Sequence, residues 1–182
     1  MTAQTKYGLL AGFNAINCIT IGYVLGFFNA KVQYSPYVML AIAIVGVGLI
    51  FFAIRERKFK EMGGYLDWKD GMRTGLGVAF WCGLIMVIFM FIFTKWINPA
   101  WVTAGFDYQK TVLLAKGKNA AEVEKIIYEA KQNFSLIRTL FSIFSNILLV
   151  GGFFSFLISW FSKKDKPLTE MYVDTEIDKI SK

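Results

Sequence analysis

Histidine is missing from all 182 residues, which removes the commonest general base and a common metal ligand. Cysteine is scarce. Cys18 and Cys82 both lie inside apolar runs, and neither has a ligand-spaced partner. They read as packing residues, with no metal centre and no secreted disulfide framework expected. Charge is absent where active transport would need it: no Asp, Glu, Lys or Arg lies deep in any long apolar run, and proton-coupled pumps and transporters usually carry one there. No catalytic constellation and no cofactor site can be assembled from what remains. The expectation is a protein that is not an enzyme, though a passive path stays open.

What the chain has in abundance is apolar surface. Hydrophobic residues make up 55% of it and aromatics 17%, led by 18 Phe, too much for a soluble domain. Four apolar runs, about 7–28, 36–54, 74–93 and 139–161, are each close to the roughly 20 residues that a helix needs to cross a bilayer. The charges are collected between them. Arg55 to Arg73 is the one long polar stretch of the first half and holds six Lys or Arg. The net charge of +7 therefore sits at span ends, where membrane topology demands it, and does not point to nucleic acid. The first run makes a poor signal peptide: its basic flank is a lone Lys6, it is long, and no small-residue cleavage site follows. It is expected to be retained. The fold class predicted is all-α: an integral membrane four-helix bundle with an external amphipathic helical hairpin between spans 3 and 4. Residues 1–162 form the membrane domain, and 163–182 a cytoplasmic tail.

Within the spans, small residues suggest where helices meet. Gly8 and Gly12, Gly22 and Gly26, and Gly71 and Gly75 stand four apart, and Gly151 opens a small-residue row through Ser155 and Ser159. Such spacing clears one stripe of a helix for a close neighbour. Asn14, Asn17 and Asn146 are amides at membrane depth, where unpaired polar groups are costly. An interhelical hydrogen bond is one reading of them, and the lining of a small-ligand or ion path is the other. Ser35-Pro36 and Asn98-Pro99 both look like a cap followed by a Pro-started helix. Adding 63 takes Lys6 to Lys69, Gly8 to Gly71, Gly12 to Gly75 and Pro36 to Pro99, the pattern of a possible internal duplication.

The hairpin is expected over 98–135, its first helix stopping at Gly117 and its second capped by Asn119, with Glu122 at the capping-box position. Val123, Ile126, Ile127 and Phe134 fall on one face of the second helix. That face either packs on the preceding helix or the membrane surface, or serves as a partner-docking face. In the tail, Val173, Ile177 and Ile180 could form a short amphipathic turn. The central loop and near tail are basic, whereas the basic residues of the long loop are diluted. Both termini are accordingly placed in the cytoplasm.

The assembled pattern resembles a family of uncharacterised four-span proteins of Bacteroidota, a domain of unknown function. The resemblance covers about residues 6–164. It rests on Lys6-Tyr7-Gly8, the run Arg55-Glu56-Arg57-Lys58, and Gly63-Gly64-Tyr65 leading to Gly71 and Gly75. Asn98-Pro99 and the Gly117 to Phe134 helix complete it. It implies residence in a bacterial inner membrane and the same four-helix plan, and it supplies no activity, cofactor or catalytic residue. The expected partners are the lipid bilayer and other membrane proteins or a second copy of the chain. The expected role is a non-enzymatic subunit or accessory factor of a larger membrane assembly. The alternative is a small passive channel or carrier for a lipid or metabolite, acting as a homo-oligomer.

Overall fold

The structure is a computed structural model and describes residues 1–164. Among these the regular structure is helical: α1 (Ala3–Val24), α2 (Ser35–Glu56), α3 (Trp68–Ile92), α4 (Trp101–Ala115), α5 (Ala120–Gln132) and α6 (Leu136–Ser162). A 3-10 turn, Val32–Tyr34, leads into α2, and π-helical turns prolong α2 through Arg57–Glu61 and α3 through Phe93–Ile97. Helices α1, α2, α3 and α6 are long and apolar enough to cross a membrane. The molecule is a multi-pass membrane protein of all-α class.

The four long helices alternate in direction. Lys6 beside Glu56, Arg57 beside Asp70, and Lys58 Nζ donating to the carbonyl of Ser162 (2.6 Å) place the start of α1, the end of α2, the start of α3 and the end of α6 together. We term this the charged end. A two-stranded backbone exchange between Leu66 and Lys164 (3.0 and 3.1 Å) closes it. At the opposite end Phe28 and Tyr23 pack against Phe93, and Asn98 Nδ2 donates to Asn29 Oδ1 at 2.8 Å. Helix α3 occupies the centre, touching α1, α2 and α6, while α2 also borders both outer helices. One core cluster (Ala15, Ile19, Phe28, Met86, Met90, Phe93) lies toward the opposite end, and a second (Ile50, Ala53, Ile54, Leu66, Val78) toward the charged end.

Helix limits depart from the apolar runs where local chemistry decides them. Helix α1 starts at Ala3 because Thr2 Oγ1 accepts from the Thr5 N–H. It ends at Val24, and Gly26 follows with φ +79°, the left-handed position that lets the Phe27 N–H turn back to the Gly22 carbonyl at 2.8 Å. Ser35 is not a side-chain cap, because the 3-10 turn runs straight into α2 and makes Ser35 its first residue; Pro36 sits in the first turn. Asn98 likewise does not cap α4, which begins at Trp101. Its buried amide is spent on Asn29 instead.

The connection between α3 and α6 is the helical hairpin α4–α5, standing at the end of the bundle away from the charges. Gly117 (φ +80°) stops α4, and Asn119 Oδ1 accepts from the Ala121 N–H at the start of α5. Glu122 turns to Lys118 (3.0 Å). The tail residues Val173, Ile177 and Ile180 lie outside the described residues.

The 63-residue offset does not carry over into equivalent contacts. Gly8 and Gly12 face Trp81 and Ile85 of α3, whereas Gly71 and Gly75 face Ser159 and Ser155 of α6. Pro36 opens a spanning helix, but Pro99 precedes the short α4, and the return through the bundle is made by α6. Two superimposable halves would require those contacts to match, and they do not.

Candidate functional site

Three places gather the residues singled out by the sequence: the small-residue seams, an apolar cleft, and the polar cluster at the charged end. The seams come first because they position the other two. A Cβ on Gly8 would come within 2.5 Å of Trp81 Cβ, and one on Gly12 within 2.7 Å of Ile85 Cδ1, so α1 lies against α3 at glycine distance. On the other face of α3, a Cβ on Gly71 would meet Ser159 at 2.6 Å, and one on Gly75 would overlap Ser155. A Cβ on Gly151 would come within 2.5 Å of Ala79 Cβ. Ser155 is fully buried and donates to its own helix at the Gly151 carbonyl (2.5 Å), which satisfies the hydroxyl without a partner from α3. Gly22 approaches Phe28 and Val38. Gly26 is the exception. No atom lies within 4 Å of its would-be Cβ; its role is to end α1, not to pack.

Where α2 and α6 meet, Ile50 lies beside Gly151, and from there toward Met39 and Ile143 a cleft of about 420 Å³ stands between them. Its floor is α3, through Val78, Ala79, Cys82 and Met86, and Ala43, Gly46 and Val47 form the α2 wall. Asn146 is the one strongly polar side chain on its border. The lining is otherwise apolar, as the sequence of α2 requires, since that helix has no charged residue before Arg55.

The expected amide contact is corrected by this arrangement. Asn17 and Asn146 are both exposed, Asn14 is half-buried, and the hydrogen bond found for Asn146 is a 3.5 Å contact to Ser142 on its own helix. The reason is the order of the helices. Helices α1 and α6 flank α3 and α2, so amides on α1 and α6 cannot converge inside one protomer.

The docking face is also corrected in part. Val123 and Ile127 are buried in the hairpin, where α5 packs on α4, and Phe134 meets Phe106 edge to face with centroids 6.0 Å apart. Ile126 is half-buried. Val123 and Ile127 thus find their cover within the chain, while Phe134 remains 38% exposed.

At the charged end Glu56 accepts from Lys6 Nζ (2.9 Å), Tyr7 Oη (2.7 Å) and Lys60 Nζ (3.3 Å). Arg57 Nη1 donates to Thr74 Oγ1 (2.9 Å), and that hydroxyl donates to the Asp70 carbonyl (2.6 Å). Such a network can hold α1, α2 with its π-helical turn, and α3 in register and fix a guanidinium. Among the described residues no group of three or more His, Cys, Asp or Glu could hold a metal ion. The sequence places these charges at span ends and does not reveal that Glu56 joins α1 to α2. The available signal was the charge at the end of each of two adjacent, oppositely directed spans.

Residues 6–164 match the family described as Protein of unknown function (DUF4199). The chain belongs to that family. The match takes in α1 from Lys6 onward and the other three spanning helices whole, and it stops at Lys164, the residue paired with Leu66. No curated protein and no solved structure matches the chain.

Proposed function

We propose that this DUF4199 chain is a non-enzymatic subunit or accessory factor of a larger inner-membrane assembly, and that the cleft between α2 and α6 receives an apolar helix of the partner. The cleft carries this reading. Lipid chains are as apolar as leucine, so helices associate in a bilayer through close packing, favoured where small residues admit a neighbouring backbone. Gly46 lies on the cleft wall and has no atom within 4 Å of a would-be Cβ. In the same reading the charged end, with its excess of Lys and Arg, faces the cytoplasm together with both termini. The α4–α5 hairpin then stands outside.

The test is site-specific photo-cross-linking in native membranes, with the cross-linker at Gly46 or Val47 and, as a control, at Leu149, which is 70% exposed on α6. Discrete protein adducts from the cleft positions and lipid adducts from the control are expected; lipid adducts alone from all three would remove the reading. An impermeant maleimide reads the orientation in the same cells, labelling Lys118→Cys before lysis and Arg55→Cys only after it.

A further inference from the structure

We propose that the charged end also holds an oxyanion site for a phosphate group, built from the guanidinium groups of Arg57 and Arg73. A pocket of about 280 Å³ opens between the start of α1 and the turn after α2, lined by Thr2, Ala3, Gln4, Arg57, Glu61 and Arg73. The two arginines reach it from different elements, the π-helical turn and α3.

Arg57 is fixed in place but under-used. Thr74 holds Nη1, while its carboxylate contacts are long: 3.5 Å from Nη2 to Asp70 and 3.7 Å from Nε to Glu61. Its Nε is shut off from solvent and has no hydrogen-bond partner among the described residues. A buried donor left in that condition is costly, and an acceptor that satisfies it is correspondingly favoured. Arg73 is exposed and has neither an ion pair nor a hydrogen bond among the described residues.

Two guanidiniums and one carboxylate line the pocket; both acids near it, Glu61 and Asp70, reach toward Arg57 at long range, and neither makes an ion pair with Arg73. Glu61 is half exposed and, among the described residues, held by its 3.7 Å contact alone, which leaves it free to turn outward when an anion enters. The first turn of α1 adds to the same side. Thr2 takes the N–H groups of Thr5 and Lys6, but those of Ala3 and Gln4 have no acceptor within the helix. A guanidinium fork matches the spacing of phosphate oxygens, which a single lysine does not.

The pocket lies at the end of the spans, at the depth of lipid headgroups, so the phosphate can belong to an anionic lipid or be free in solution. The full chain is purified in detergent, and retention of phosphatidylglycerol is measured by native mass spectrometry. Inorganic phosphate is titrated separately against thermal stability. Arg73→Gln is the test variant because its side chain supports nothing else; Arg55→Gln removes an equal charge from the same end but outside the pocket. Loss of one charge-assisted contact predicts about a tenfold drop in binding for Arg73→Gln and no change for Arg55→Gln. If phosphatidylglycerol alone shows that pattern, the ligand is a lipid headgroup; if inorganic phosphate shows it too, the site takes the free ion. Equal losses in both variants would mean diffuse surface charge and overturn the site, as would the absence of saturable binding in either arm.

Discussion

A glycine in a membrane helix is informative only through what stands opposite it. Gly8 faces the Cβ of Trp81 and the carbonyl of Val78, both part of or next to backbone, so neither can swing aside. Gly46 faces nothing within 4 Å. Replacing each with valine therefore separates a packing glycine from an unoccupied one. Gly8→Val is expected to destabilise the bundle by about 1–3 kcal/mol, the usual cost of overpacking. Gly46→Val in the isolated protein should leave stability unchanged. Unfolding in mixed micelles measures both, and equal effects would contradict the α1–α3 seam. The same two variants bear on the cleft: in intact membranes Gly46→Val is the one that should abolish the cross-linked adduct.

At the scale of elements, the hairpin is held by its turn more than by the bundle. Helices α4 and α5 pack on each other, and beyond that α4 touches the 3-10 turn Val32–Tyr34 and sets Trp101 against the nearby core cluster. Gly117 needs its left-handed φ, and Asn119 caps α5. Gly117→Val and Asn119→Ala should each cost about 1 kcal/mol or more. Hydrogen exchange should then quicken in 101–132 and stay unchanged in the four long helices; a uniform change would mean that hairpin and bundle unfold as one. Most of this element was legible in the sequence, because a helix stop and a cap are local signals written in two residues. The spans were legible for a similar reason, since length and apolarity suffice. The Asn29–Asn98 bond, the Tyr7–Glu56 bond and the burial of Leu66 were not, for each joins residues far apart in the chain. The Asn146 expectation failed on the same ground: which helices are neighbours is a property of the whole bundle, and the residues at membrane depth do not encode it locally.

For the whole molecule, the fastenings are unevenly distributed. The charged end carries the Lys6–Glu56 and Arg57–Asp70 pairs, the Lys58–Ser162 hydrogen bond and the Leu66–Lys164 exchange. Between α2 and α6, contact at Ile50 and Gly151 gives way to the cleft on moving away from that end. Spin labels should register the asymmetry. Labels at Phe52 and Phe153, near the fastened end, are expected to give a narrow distance distribution. Labels at Tyr37 and Ile137 should give a broader one that narrows when the cleft is filled, and equal widths would count against it. Mechanically, the pair of helices is a peg with its pivot at the charged end and its jaws toward the hairpin. Helix α6 begins at Leu136, four residues after α5 ends at Gln132. A small opening at Gly151 is therefore magnified along the lever before it reaches the hairpin, so a helix gripped in the jaws would tilt the hairpin that stands at the same end.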